Sequence, residues 1–256
     1  MLDLKTSIKS VHSVNDDEDN MYESIDYGDM KQANEPKVVA ETNEELIDKA
    51  PLLTLLRTKQ FILIFVMNLL SVMFGLFLIG SSKKFGSEYL KDEEFVTLVA
   101  SIASITGIFR FLFAIGLDNF SYKKVYSFII ILQIIFAFTL PSDLSQMRGF
   151  SKSYFLVAVS ASQLLEGAHF VLMPTVLAKM FGTEGGMRVF SVGFGFVGVA
   201  SLINILFLDL FLEPESMFYL GFDGMCYIYG TFSIIALIIL LTVFKEEKVS
   251  LLGIRK

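Results

Sequence analysis

The chain has 256 residues, of which 54% are hydrophobic and 19% charged, and its mean hydropathy is +0.61. The apolar residues run in unbroken blocks, so the composition excludes an ordinary soluble domain and predicts a polytopic membrane protein. The net charge of −6 comes from the first 50 residues, which carry 13 acidic side chains against 5 lysines, and no basic patch elsewhere indicates nucleic-acid binding.

Residues 1–50 have the composition of a solvated tail. Acidic and polar residues predominate there, without a helical or strand period. Such a segment cannot bury enough apolar surface to fold by itself, so we predict a disordered acidic tail on the cytoplasmic side. A phosphorylation or docking segment is the alternative.

Six apolar blocks follow this tail, each close to membrane-spanning length. A helix needs about 17 to 25 residues to cross a hydrocarbon core of about 30 Å. The blocks cover residues 60–80, 95–117, 125–140, 154–177, 189–212 and 217–244. They predict an all-α integral membrane domain of six transmembrane helices over residues 51–244, followed by a short basic cytoplasmic tail at 245–256.

Basic residues flanking the blocks predict the orientation. With the N-terminus in the cytoplasm, ten Lys and Arg residues lie inside and five outside, as the positive-inside rule requires. Both termini are then cytoplasmic, although the pattern does not identify the membrane. The inside set is Arg57, Lys59, Lys123, Lys124, Lys179, Arg188, Lys245, Lys248, Arg255 and Lys256, and the outside set is Lys83, Lys84, Lys91, Arg148 and Lys152.

Arg110 is a basic residue deep inside the second block. It precedes the end of that block by seven residues, or about 11 Å of helix. A centred arginine costs about 2.5 to 3.5 kcal/mol on insertion scales, so we expect it to face the protein interior. Its neighbours on the same helical face are small. We predict that Arg110 contacts an anionic ligand, and a structural ion pair is the alternative.

The fourth block carries a polar stripe formed by Ser162, Glu166 and His169, with Gln163 beside it. These residues share a helical face that is not expected to point at lipid. Di-iron bundles also use Glu-x-x-His but repeat it on a second helix, so we expect no metal or other cofactor here. Either Glu166 pairs with Arg110, or Glu166 and His169 carry protons in a proton-coupled carrier.

Weaker polar stripes occur on the first and fifth blocks. Asn68, Ser71 and Gly75 share one face of the first block, which is typical of helix packing, and we keep Asn68 as a candidate substrate contact. The fifth block is rich in glycine. The third block, where Gln133 stands out as polar, and the sixth block are predicted to be the lipid-facing pair.

The loop after the second block resembles a motif of the major facilitator superfamily. Residues 116–124 read Gly-Leu-Asp-Asn-Phe-Ser-Tyr-Lys-Lys and are similar to the Gly-x-x-x-Asp-Arg-x-Gly-Arg-Lys loop of these carriers. The resemblance implies that Asp118 caps a helix start and that Lys123 and Lys124 belong to a cytoplasmic gate.

Later motifs resemble the oxalate:formate antiporter and monocarboxylate transporter branch of that superfamily. They are Glu166-Gly167, Pro174 and Phe181-Gly182, followed by the glycine-rich fifth block. Arg110 stands where that branch has a substrate-binding arginine. The resemblance covers residues 52–244 and implies the C-terminal six-helix half of a twelve-helix carrier.

One departure from that branch bears on the substrate. The oxalate antiporters have a lysine in the eleventh helix, where this chain has Phe196, Val197 and Gly198. The resemblance therefore implies a monocarboxylate or another small organic anion rather than oxalate.

Taken together, the patterns predict transmembrane transport of a small organic anion. The expected substrate contacts are Arg110, Glu166, His169, Gln163 and Asn68. One six-helix bundle supplies one wall of an alternating-access carrier, so we expect a second copy or a separate N-terminal half as partner, in addition to the lipid bilayer.

Other kinds of membrane protein remain as alternatives to a carrier. A non-transporting accessory or structural membrane subunit would keep the fold, and a truncated transporter fragment would show the same patterns. An enzyme is not expected, because the chain lacks a Gly-x-Ser-x-Gly elbow, a His-Glu-x-x-His motif and a phosphate-binding glycine loop.

Overall fold

Six helices long and apolar enough to cross a membrane make up most of the structure, a computed structural model that describes residues 46–47, 49–146 and 150–249. These described residues contain no strand. The chain is an all-α, multi-pass membrane protein, and the six predicted long apolar helices are confirmed. We number the membrane helices one to six, and they are Lys59–Leu90, Glu93–Asn119, Tyr122–Ser142, Lys152–Phe181, Thr183–Leu212 and Gly221–Thr242.

Two predicted segments lie largely outside the described residues. Most of the acidic tail predicted over residues 1–50 is among them, as is the end of the basic tail predicted over residues 245–256.

The backbone forms nine α-helices between residues 52 and 242, because a chain in hydrocarbon must satisfy its own N–H and C=O groups. Membrane helix two combines α3, a 3₁₀ turn and α4, and membrane helix five combines α7 and α8. The elements are α1 Leu52–Leu56, α2 Lys59–Leu90, α3 Glu93–Thr106, the turn Gly107–Arg110, α4 Phe111–Asn119, α5 Tyr122–Gln146, α6 Phe150–Phe181, α7 Thr183–Gly193, α8 Gly195–Leu212 and α9 Gly221–Thr242.

Helix one begins at a polar cap and continues beyond its predicted end. The Thr58 hydroxyl accepts a hydrogen bond from the Phe61 N–H at 3.3 Å. The helix continues past residue 80 to Leu90 and stops where Lys91 adopts a left-handed conformation with φ of 53°. No proline interrupts residues 81–90, so the helix extends past its most apolar part, where polar side chains can reach water.

Helix one is the centre of the bundle. It contacts each of the other five membrane helices. In its most apolar stretch 56% of the residues are buried, and helix four reaches the same share. Polar side chains on these two helices therefore face protein, which is the environment that the polar stripe on helix four predicted.

Helices two and five are the most exposed, with 11% and 17% of their apolar stretches buried. Helices three and six, which were predicted to be the lipid-facing pair, are more buried than helices two and five, although one face of each is exposed at Phe128, Ile131 and Ile238. Their other faces pack against each other, and the shares buried are 44% and 39%. Gln133, which was expected on a lipid-facing helix, is fully buried.

Helices two and five are also interrupted midway. A 3₁₀ turn over Gly107–Arg110 separates α3 from α4, and Phe194 separates α7 from α8. A short 3₁₀ stretch inside a long helix often marks a hinge. The two most exposed helices thus carry a local break near their middle.

Candidate substrate-binding cleft

A cleft of about 350 Å³ opens between helices one, two and four. This volume is near the lower end of the range of about 300–1,000 Å³ that small-molecule sites occupy. Its lining consists of Leu76, Ile79, Ser104, Gly107, Ile108, Arg110, Gln163, Glu166, Gly167 and Phe170. Three of the five predicted substrate contacts, Arg110, Gln163 and Glu166, therefore line one cleft.

Arg110 lies at the end of the 3₁₀ turn in helix two and is exposed in the cleft. Its aliphatic stem lies against Gly167 of helix four, since a Cβ added to that glycine would be 3.2 Å from the Arg110 Cβ and 3.3 Å from its Cδ. The guanidinium forms no hydrogen bond or ion pair with any residue that the structure describes. The aliphatic part of Arg110 thus packs against helix four, and its guanidinium can still donate hydrogen bonds to a ligand.

Glu166 is buried at the cleft, with 2% of its surface exposed. Its carboxyl group lies over Gly75 of helix one, where an added Cβ would be 2.2 Å from Oε2. Neither carboxyl oxygen has a hydrogen-bond partner among the described residues. Gly75 therefore provides the space that this carboxyl group occupies.

The predicted ion pair between Glu166 and Arg110 does not form among the described residues. The reason is the direction of the two side chains. The Arg110 stem follows the surface of helix four at Gly167, whereas Glu166 turns into the space above Gly75. An arginine and a buried carboxyl group thus line one cleft without pairing with each other.

Helix four presents its polar stripe inward, as predicted. Ser162, Glu166 and His169 are all buried. Gln163 is partly exposed and lines the cleft one turn before Glu166. The stripe is nevertheless divided, because His169 does not line the cleft and forms no hydrogen bond with Glu166 in the described structure.

His169 belongs to a buried hydrogen-bond network that joins helices one, three and four. The Gln133 amide lies 3.2 Å from His169 Nε2, and the Tyr126 hydroxyl lies 3.1 Å from His169 Nδ1. The Tyr126 hydroxyl donates to Asn68 Oδ1 at 3.0 Å and lies 2.6 Å from Ser71 Oγ. Such a network makes the packing of the three helices specific, because each buried polar group needs its partner.

Asn68 and His169 were predicted to contact substrate, and the structure places both in this network rather than on the cleft. Asn68 also donates from Nδ2 to the Ile64 carbonyl at 2.8 Å. Their hydrogen-bonding groups already have partners, so these two residues connect the helices that carry the cleft.

Tyr126 and Gln133 were not predicted as part of this region. A tyrosine near the start of a membrane helix is usually attributed to the interfacial aromatic belt. The available signal was spacing, since Tyr126 and Gln133 are two turns apart on one face of helix three. Both are fully buried.

The predicted gate loop lies at the junction of helices two and three. Lys123 donates from Nζ to the Leu241 carbonyl at 2.8 Å, in the last turn of helix six. A cation is favourable there because helix C-termini carry unpaired carbonyls. Lys124 is exposed. Lys123 therefore connects helix three to helix six.

Asp118 does not cap a helix start in the described structure, although the resemblance implied that it would. It is exposed in the last turn of α4 and has no described hydrogen bond. The carboxylate at the start of helix three belongs to Glu246 instead. Its Oε1 accepts a hydrogen bond of 3.3 Å from the Tyr122 N–H. The acidic partner comes from the segment after helix six, which the motif could not indicate.

An ion pair joins helices two and four at the end opposite the gate loop. Lys152 Nζ lies 2.5 Å from Asp92 Oδ2, while Asp92 Oδ1 accepts the Phe95 N–H at 3.0 Å and caps helix two. The pKa of the Asp92 carboxyl lies below its ordinary value of 3.8, because Lys152 and the Phe95 N–H both donate to its charged form. The pair ties the start of helix two to helix four.

No group of three or more His, Cys, Asp or Glu side chains within residues 46–47, 49–146 and 150–249 is placed to hold a metal ion. The fold and the cleft define a class: a multi-pass membrane protein with an isolated cation and a buried carboxyl group on one cleft. No protein-family model and no curated protein matches the chain.

Proposed function

We propose that this chain forms one wall of a carrier that moves a small organic anion, such as a monocarboxylate, across a membrane. The observation that carries the proposal is Arg110, a guanidinium near the middle of a membrane helix that lies on a cleft without a partner among the described residues. Keeping such a charge at this depth costs free energy, so intramembrane arginines usually serve an ion or substrate pathway.

The lining of the cleft suits a small carboxylate. A guanidinium can donate two parallel hydrogen bonds to a carboxylate, and it remains charged at any physiological pH. The Gln163 amide of helix four adds a further donor to the lining. Ile79, Ile108 and Phe170 supply apolar surface for the rest of a short carbon chain.

Alternating access requires part of the bundle to move, and helix two has features that support such movement. Arg110 ends a 3₁₀ turn, and the contact between its stem and Gly167 involves no side chain on helix four. A hinge at this turn would couple the position of the guanidinium to the tilt of α4.

The proposal includes a partner for the exposed helices. The cleft is open on one side, and helices two and five bury little of their surface within the bundle. In two-bundle carriers the site lies between the halves. We propose that a second copy or a separate six-helix half completes the path, in keeping with the resemblance to the major facilitator superfamily.

A second candidate is an accessory membrane subunit that does not transport. The network of His169, Tyr126 and Asn68 favours it, because this network connects three helices by buried hydrogen bonds. Arg110 would then meet an acidic group of a partner protein. Neutralising Arg110 and Glu166 together would in that case preserve assembly better than either single change.

Uptake of labelled monocarboxylates of two to six carbons into vesicles from cells that produce the full chain tests the proposal. Arg110→Ala is expected to lower uptake at least about tenfold, which corresponds to about 1.4 kcal/mol, while the protein still reaches the membrane. Arg57→Ala is the matched control, since Arg57 is exposed and lies outside the cleft. Uptake that is unchanged in Arg110→Ala would overturn the proposal.

A further inference from the structure

Two ionisable side chains on the cleft each lack a partner among the described residues. The Arg110 guanidinium has no acceptor, and both oxygens of the Glu166 carboxyl group have no donor. They come from neighbouring helices and line the same space. No contact joins them in the described structure, and the cleft that both residues line has a volume of about 350 Å³.

The unpaired state of Glu166 is the more informative of the two. A buried carboxyl group without a donor is costly, and a side chain that served only to join helices would have its donor within the bundle. In the nearby network Asn68, Ser71, Tyr126 and His169 are paired with one another, whereas Gln133 Oε1 and the Ser162 hydroxyl also lack a partner among the described residues. A ligand that carries its own hydrogen-bond donor would supply the missing partner.

A simple monocarboxylate satisfies only half of this site. Its carboxylate would bind Arg110, but its carbon chain would bring no hydrogen-bond donor to the Glu166 oxygens. A dicarboxylate would add a second acceptor group and still no donor. A primary amine without a carboxylate would leave the guanidinium unpaired.

An α-amino acid carries both complementary groups on one carbon atom. Its carboxylate matches Arg110, and its ammonium group can donate to the carboxyl oxygens of Glu166. Gln163, one turn before Glu166, can donate to the carboxylate or accept from the ammonium group. The remaining lining includes Leu76, Ile79, Ile108 and Phe170. That surface favours an apolar side chain.

We infer that the substrate of this cleft is a neutral α-amino acid with an apolar side chain, bound by Arg110 through its carboxylate and by Glu166 through its ammonium group. The inference rests on the proposed function in so far as Arg110 binds the carboxylate of a transported solute, and it replaces the simple organic anion by a carboxylate that also carries an ammonium group. It differs from the monocarboxylate prediction in requiring a donor on the ligand.

Equilibrium binding to the purified full chain in lipid nanodiscs tests the inference. The probes are labelled leucine and labelled 4-methylpentanoate, which is leucine without its amino group. Leucine is expected to bind at least about tenfold more tightly. Glu166→Gln is expected to remove this preference by weakening leucine binding alone, whereas Arg110→Ala weakens the binding of both probes.

Two matched controls lie outside the cleft. Glu184→Gln and Arg57→Ala each change an exposed charged residue and are expected to leave both affinities unchanged. The comparison of the two probes on the unaltered chain needs no variant, so it decides the question even if Glu166→Gln fails to fold.

The outcomes separate this inference from the proposed function. Equal or tighter binding of 4-methylpentanoate, or an equal loss of both probes in Glu166→Gln, would overturn the amino-acid inference and leave an anion carrier standing. Leucine binding that depends on Glu166, without uptake of any probe into vesicles, would overturn transport and keep the binding site. Binding of neither probe would overturn the inference and remove the cleft as a substrate site.

Discussion

Arg110 and Glu166 line one cleft, yet each rests on a different glycine, the arginine stem on Gly167 of helix four and the carboxyl group on Gly75 of helix one. Because these glycines set the directions of the two side chains, no ion pair forms between them in the described structure. This separation is the basis of both proposals, since a paired guanidinium and carboxylate would have little left to offer a ligand.

The space above Gly75 leads to a prediction about stability. Gly75→Ala would put a methyl group 2.2 Å from Glu166 Oε2. We expect a loss of about 1 to 3 kcal/mol in the free energy of unfolding, the usual cost of overpacking. The measurement is thermal unfolding of the purified protein in detergent.

Gly80→Ala is the matched control on the same helix. Nothing lies within 4 Å of a Cβ added there, so we expect no loss and a gain of up to about 1 kcal/mol from helix propensity. Replacing Glu166 with alanine should rescue Gly75→Ala. Equal stability of Gly75→Ala and Gly80→Ala would show that Glu166 does not occupy this space.

The ion pair between Asp92 and Lys152 predicts a dependence of stability on pH. The pKa of Asp92 is lower in the folded chain than its ordinary value of 3.8, so its contribution is present above that value and is lost as the pH falls below it. Asp92→Asn keeps an oxygen that can cap helix two but removes the charge. We expect the variant to unfold at a lower temperature than the unaltered chain at pH 7.

Below pH 3.8 the difference between Asp92→Asn and the unaltered chain should shrink. Glu215→Gln, which changes an exposed carboxylate elsewhere, serves as the control at each pH. A difference that stayed constant from pH 7 to pH 3 would mean that the charge of Asp92 contributes nothing to the folded state.

Much of the architecture could be predicted from the sequence because hydrocarbon imposes strict requirements on a chain. Length and apolarity are enough to predict six spanning helices. The cost of burying charge is enough to predict that Arg110 and Glu166 face a shared interior. Gln163 could be placed near them from helical spacing alone.

The arrangement of helices around that interior could not be predicted in the same way. Lipid and protein interiors are equally apolar, so the composition of helices three and six does not distinguish their outer from their inner faces. Gln133 and Tyr126 are paired with His169 on another helix, and this contact between distant parts of the chain left no local motif. The Arg110–Glu166 prediction failed because side-chain direction depends on glycines that the pattern of charges does not reveal.

A carrier role for Arg110 requires that position 110 face water. Arg110→Cys in a Cys226→Ala background can be treated from each side with a membrane-impermeant thiol reagent, with the exposed apolar residue Ile131 of helix three replaced by cysteine as the lipid-facing control. We predict rapid labelling at position 110 from at least one side and none at position 131. A cysteine at position 110 that resists the reagent from both sides, yet is reached by a lipid-phase quencher, would contradict the account.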